Sequence, residues 1–289
     1  MRTKILIETT IQVHRLVDET SVRQRLDRVL ADHDVITTSF VLREFLRTII
    51  RDIYFVYDAA QGLPELDCMV ALENLSRILV RHPLGYSSRA AKRILYVIAM
   101  IQENFAQLHV PRRKLLRFLE LTASQLIVKF FEIPLPNGSH IDLKPVLTDV
   151  DDDPDEMQNW IDSHQPLPHS PPFPAGAARF LHDRQAAVHT VEVHLHSAAA
   201  RERDGRLMTM LERMRNMDGQ YDFLVKLTPT TRGNWALGDL LIALETPKEA
   251  AIYTTDKHYG ILCRALGKSR HKAYTPWRDG TDSDDAAGR

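Results

Sequence analysis

The chain has little cysteine, no long apolar run and almost no net charge, and each shortage excludes something. Only two cysteines occur in 289 residues, Cys68 and Cys263, far apart and without metal-ligand spacing. They read as free thiols of a reducing compartment, not as a disulfide framework or a zinc site. No apolar run approaches the roughly 18–20 residues of a membrane span. The N-terminus shows no basic stretch followed by an apolar h-region, so no signal peptide is expected. Lys plus Arg number 37 against 38 Asp plus Glu. Overall charge therefore gives no sign of a polyanion partner, although a local basic face remains compatible with it. The expectation is a soluble cytoplasmic protein with no membrane contact. With 44% hydrophobic residues, it has enough material for one large core or two smaller ones.

Local patterning divides the chain into textures. "KILIE" (4–8) is short, apolar and β-branched, as a buried strand is. "DETSVRQRLDRVLADHD" (18–34) has helical spacing, and "VITT" (35–38) is a second buried strand. Thr38 or Ser39 can cap the helix "FVLREFLRTIIRDIYFVYDAA". Three amphipathic segments follow at 65–82, 87–108 and 112–133, punctuated by Pro83, Gly85 and Pro111, and they predict a helical bundle. An acidic run (148–156) and a Pro-rich stretch (165–176) read as an exposed connection. Residues 177–204 and 206–217 return to helical patterning. The opening texture then recurs. "DFLVKL" (222–227) reads as a strand, and Asn234 can cap the helix "WALGDLLIALE". "AAIYTTD" (250–256) is another strand, and "KHYGILCRALG" a helix closed by Gly267. "HKAY" reads as an edge strand and the tail 276–289 as disordered.

Both chain ends are α/β and the middle is helical. Either one α/β domain carries a large insertion, or two small α/β units flank a bundle. Each end alone is too short to cover both faces of a parallel sheet. The favoured organisation is a discontinuous α/β domain, 1–60 with 221–275, interrupted by a helical insertion, 61–220.

In an open parallel sheet, ligands bind beyond the carboxyl ends of the strands. Glu8 follows "ILI" and Asp256 follows "AIYTT". Glu44 and Asp239 lie in the first turns of two helices, Asp239 just ahead of Leu240-Leu241-Ile242. A carboxylate beside a buried face is costly unless something pairs with it. Four converging carboxylates would repel one another unless a divalent cation with a taste for oxygen, Mg²⁺ or Mn²⁺, joined them. Against this stands the plainer reading that any single acid after a strand is a cap or a solvated turn residue.

Taken in order, these segments resemble the PIN-domain nucleases, including the toxin ribonucleases of bacterial toxin–antitoxin pairs. The resemblance rests on Ile5-Leu6-Ile7-Glu8-Thr9-Thr10, on "ITTSFVLREFL" with Glu44, on "LGDLLIAL" with Asp239, and on "YTTDKHY" with Thr254, Asp256 and Tyr259. It covers about residues 1–60 and 221–275. It implies a PIN-like three-layer α/β fold with a central, mainly parallel sheet, here interrupted by an all-helical insertion. It also implies a Mg or Mn hydrolase cleaving RNA or DNA. Glu8, Glu44, Asp239 and Asp256 would be the metal ligands, and Thr254 would orient a carboxylate or a water. An antitoxin-like protein inhibitor and a homo-oligomer are further implied partners. Two positions depart from the pattern. Glu8 stands where aspartate is usual, and Thr10 where Asn or Ser is common. The interval from Glu44 to Asp239 is also far longer than in the family.

Other groups invite a function. Arg43, Arg47 and Arg51 share one helical face beside Glu44, either to hold nucleic acid or as the outer face of an amphipathic helix. Arg112, Arg113, Lys114 and Arg117 make a basic helix start, read more simply as solvated. His189, His194 and His196 would suit a metal on a strand, but on a helix positions two apart face away from each other. The acidic stretch 149–155 lacks the Gly and Glu of a calcium loop and reads as solvated linker. A second functional class is a weakened PIN-like module that binds RNA or protein through its helical insertion. A third makes the helices 65–133 the working part.

Overall fold

The computed structural model describes residues 2–17, 20–63, 68–81, 88–105, 110–134, 140–142, 144–146, 175–198, 205–226 and 234–272. The acidic run, almost all of the Pro-rich stretch and the tail lie outside them, as do the side chains of Cys68 and Asn234. Two compact units emerge: Met1–Arg43 with Glu132–Asp152 and Ser170–Arg289, and Glu44–Phe131 with Asp153–His169.

The first unit is α/β. β1 (Lys4–Ile7) leads into α1 (Thr9–Val17) and α2 (Thr20–Ala31), then β2 (Asp34–Thr38) and the start of α3 (Ser39–Gln61). The chain re-enters this unit at β3 (Glu132–Pro134), β4 (His140–Asp142) and β5 (Lys144–Val146). It continues through α7 (Ala175–Asp183), α8 (Gln185–Ser197), α9 (Gly205–Met214) and the single turn α10 (Phe223–Lys226). It closes with α11 (Asn234–Glu245), β6 (Ala250–Thr254), α12 (Tyr259–Leu266) and β7 (Ser269–Lys272).

The five-stranded sheet runs β5-β2-β1-β6-β7 and every pairing in it is parallel. β3 and β4 form a separate antiparallel pair. Right-handed crossovers from β1 to β2 and from β6 to β7 travel in opposite directions along the sheet, so they lay helices on opposite faces. Accordingly α1 packs on β6 and on α2, whereas α12 packs on β7, α11 and α8. Ile5, Leu6 and Ile7 are fully buried, as a central strand covered on both sides must be. α11 is apolar around most of its circumference, with Leu237, Leu240, Leu241, Ile242 and Ala243 all buried, which suits a helix enclosed by others. Its C-terminal carbonyls are closed by Lys268, whose ammonium donates to Ala243, Leu244 and Thr246. Gly267 ends α12 in the left-handed region at φ 62°.

The second unit is helical. After Glu44, α3 is followed by α4 (Cys68–Arg81), α5 (Ser88–Asn104) and α6 (Arg112–Phe131). Buried stripes at helical spacing, such as Ile94, Val97, Ile98 and Ile101 on α5 or Leu115, Leu119 and Leu126 on α6, form its core. Buried Asp52 on α3 pairs with Arg93 on α5. Burial raises the Asp52 carboxyl, and the Arg93 guanidinium opposes that rise. Arg112 donates to the carbonyls of Gln61 and Leu63, closing the end of α3, and Arg117 pairs with Glu120.

Several expectations are corrected. The domain boundaries at 60/61 and 220/221 move: 44–60 belongs to the helical unit, and 132–152 and 170–220 to the α/β unit. The cause is packing, since β5 lengthens the sheet beside β2 and α8 and α9 rest on α12 and α11. Residues 223–226 are a helical turn and not a strand. Phe223 is buried while Leu224 is 54% exposed, and so short an apolar run carries no period. The helix expected over 177–204 breaks at Arg184, whose guanidinium stacks on the Phe180 ring. α1 was not foreseen.

Two consequences are measurable. Asp52→Ala leaves Arg93 buried and unpaired and should cost about 3 kcal/mol. Asp52→Leu with Arg93→Met should recover most of that in urea unfolding; equal losses in both variants would deny the pairing its role. His271 on β7 packs edge-on against Tyr253 and His33. Burial, then His33, lowers its pKa, so the unfolded chain takes up its proton first as pH falls. Stability of the α/β unit should decline as pH drops below about 6.5. His271→Phe should flatten that decline in a series of melts across pH.

Candidate functional site

The site grows from the carboxyl ends of β1 and β6. Their register places Ile7 beside Tyr253, so Glu8 and Thr254 emerge together. Glu8 is 3% exposed and stands at the N-cap position of α1, its carbonyl accepting the Ile11 N–H at 3.0 Å. Its carboxylate oxygen Oε1 accepts the Thr10 N–H at 3.1 Å. Oε2 accepts the Thr254 hydroxyl at 3.0 Å and the Thr10 hydroxyl. The Thr255 hydroxyl donates to Thr10 Oγ1 at 3.0 Å. Buried carboxylates need such donors, because losing water without replacement is costly.

Thr254 also accepts the Asp256 N–H at 2.9 Å, which turns the chain out of β6. Asp256 is half-buried, and its Oδ1 accepts the His258 N–H at 3.1 Å, with the His258 imidazole 3.8 Å away. Asp239 on α11, also half-buried, accepts the Tyr259 hydroxyl at 3.3 Å. One short connection, Thr254 to Tyr259, therefore touches both Glu8 and Asp239. Glu8, Thr254, Asp256 and Asp239 all lie in the α/β unit.

Glu44 belongs to the helical unit, in the second turn of α3, and is half-buried. The α3 start is capped by Thr38, whose hydroxyl oxygen accepts the Val41 N–H at 3.2 Å. Arg43 is buried at 7% exposure, which does not suit an open phosphate-binding face, whereas Arg47 and Arg51 are half-buried. Arg51 lies 4.0 Å from Asp52. Among the described residues no three His, Cys, Asp or Glu side chains form a group able to hold a metal ion. His189, His194 and His196 are exposed on α8. Cys263 is a free, buried thiol, pushed up by burial to about 11.

Two features escaped sequence reading. Thr10 and Thr255 join the hydroxyl network, and the only sequence trace of this is a Thr-Thr pair after each of two apolar strands. The second feature is buried Glu192 on α8, which accepts hydrogen bonds from Tyr221 and Arg215. Burial opposes its charge, yet those bonds outweigh it and hold the carboxyl below its usual range. Tyr221 is pushed up to about 12, by burial first and by Glu192 second. This cluster fastens α8 to the turn after α9.

Thr254→Val keeps shape but strips one donor from Glu8 and the acceptor from the Asp256 N–H. It should destabilise the chain by about 2 kcal/mol in thermal or urea unfolding, with Thr254→Ser much milder. A neutral Thr254→Val would mean that the network does not hold the strand ends. No known protein family, curated protein or solved structure matches this chain.

Proposed function

We propose that the chain is a metal-dependent nuclease of the PIN type, acting on RNA in the cytoplasm. The observation that carries this reading is the position of Glu8 and the Thr254–Asp256 turn. Counted in chain order, the strands of the sheet run third, second, first, fourth, fifth. The order reverses between β1 and β6, and in open α/β sheets the crevice beyond the carboxyl ends at that reversal is where ligands bind. Glu8 and Thr254 stand at its two sides.

The donors there are oxygens, and hard divalent cations such as Mg²⁺ or Mn²⁺ take oxygen. Glu8, Glu44, Asp239 and Asp256 are the ligands that the resemblance implies, and since they form no metal-holding group as they stand, an ion would have to draw them together. A bound cation would supply a more acidic water and stabilise charge developing on a phosphodiester. Thr254 orients Glu8, Tyr259 holds Asp239, and the His258 amide holds Asp256. Of Arg43, Arg47 and Arg51, the candidates for contact with the nucleic acid, Arg43 is buried and the other two are half-buried. An antitoxin-like inhibitor and self-association accompany this reading as proposals.

A second reading has its own observation. The Glu8 carboxylate caps α1 and is bonded by two threonines, as a purely structural acid would be. The chain would then be a PIN-like binding module working through its helical unit. Mn²⁺ separates the two: a thermal shift at millimolar metal favours the enzyme, and none favours the module.

The enzyme reading predicts Mg²⁺- or Mn²⁺-dependent cleavage of single-stranded RNA by the purified chain. Losing a group that merely supports a ligand costs about 10–100-fold, so Asp239→Asn should lower the rate about 100-fold or more and Tyr259→Phe about tenfold. Robust cleavage that survives both Asp239→Asn and EDTA would reject this site.

A further inference from the structure

We infer that Thr10, braced by Thr255, is the positioning residue that fits a glutamate to the first carboxylate position. The inference rests on the metal reading above for its consequence, though not for its geometry. Aspartate is among the preferred N-cap residues because its short side chain brings an oxygen straight to the free amides of the first helical turn. Glutamate has one more methylene and one more torsion, so its carboxylate must be folded back to reach the same amides. Thr10 does this folding. Its N–H bonds Oε1 and its hydroxyl bonds Oε2, so one residue grips both oxygens of Glu8.

A threonine hydroxyl has one proton to give and lone pairs to receive. The carboxylate can only accept, so the Thr10 hydroxyl must donate to it and keeps its lone pairs for a second donor. Thr255 is that donor, at 3.0 Å from Thr10 Oγ1. The chain of donors therefore runs Thr255 to Thr10 to Glu8, and such chains strengthen each member. Thr254 meets the same Oε2 from β6 at 3.0 Å. The carboxylate is fixed from β6 and from its own helix. Thr10 and Glu8 thus act as a pair: the threonine is needed because the acid is a glutamate.

The test uses the full chain as wild type, Thr10→Val, Thr10→Ser, Glu8→Asp, and Glu8→Asp with Thr10→Val. Two readouts are taken: Mn²⁺ affinity from electron paramagnetic resonance, and hydrogen exchange of the amide at position 10 without metal. Thr10→Val keeps the β-branched shape and should weaken Mn²⁺ binding about tenfold, the loss of one charge-assisted bond. It should also speed exchange of the amide at position 10 by about the same factor, since a loosened carboxylate no longer covers it. Thr10→Ser should restore both to within about twofold. With aspartate at position 8, Thr10→Val should cost no more than about twofold, because the shorter acid reaches the amide unaided. Equal losses with glutamate and with aspartate would overturn the pairing. So would Thr10→Val leaving both readouts unmoved. If the wild type binds no Mn²⁺ while the amide readout and its serine rescue behave as stated, the pairing stands and the metal reading falls.

Discussion

Lys4–Ile7 pair in parallel with Ala250–Tyr253, and the rest of the α/β unit is arranged around that contact. The partners are about 246 residues apart in the chain. Closing so long a loop costs conformational entropy, but the cost grows only with the logarithm of length, about 0.6 kcal/mol for each doubling. The cost falls further when the intervening chain folds on itself, and the helical unit has its own core and its own buried pair, Asp52 with Arg93. Fully buried Ile5, Leu6, Ile7, Ile252 and Tyr253 supply the drive for the pairing.

The pairing creates a problem where it ends. Each strand leaves the sheet through residues that are still buried; the Glu8 amide still reaches the Tyr253 carbonyl at 3.2 Å, and the polar groups after it need other partners. Threonine meets this need on both strands. Thr254 receives the Asp256 amide and donates to Glu8 Oε2, and the Thr10 hydroxyl, which receives the Thr255 proton, donates to the same oxygen. β-branched side chains suit strands and are stiff at χ1, so these hydroxyls are held where they point. On β2 the same device recurs, with Thr38 at the strand end capping α3.

How much of this could be read in advance depended on whether side chains obeyed a period. β1, β2 and β6 are short apolar runs, the helices of the second unit are regular stripes, and Gly267 marks a helix end by chemistry alone. α1 hid because its polar residues are inside. Gln12 and Arg15 are buried, and Arg15 pairs through Nε with Asp27 of α2 at 2.6 Å, a tertiary partner that no local window contains. β5 hid because it has three residues and a proline. Pro145 offers no N–H, which an edge strand tolerates and a central one does not. Within the site, the placement of Glu8, Asp239, Thr254 and Asp256 in one unit was legible from strand ends and helix starts. The hydroxyl network was not, since hydrogen bonds between residues 245 positions apart depend on the register of the sheet.

The chemistry of that network bears on what Glu8 can do. An arginine or lysine pairing with a buried carboxylate neutralises it, and a cation would then have to displace the pair. Hydroxyls and an amide orient the oxygens but bring no formal charge. They hold both oxygens of the carboxylate in place at the end of β1. A carboxylate oxygen has lone pairs enough to accept a hydrogen bond and still face an ion. Threonine at position 10 is therefore compatible with both lives of Glu8, as a helix cap and as an oxygen donor at the reversal of the sheet. The two differ in whether the site takes up a metal ion.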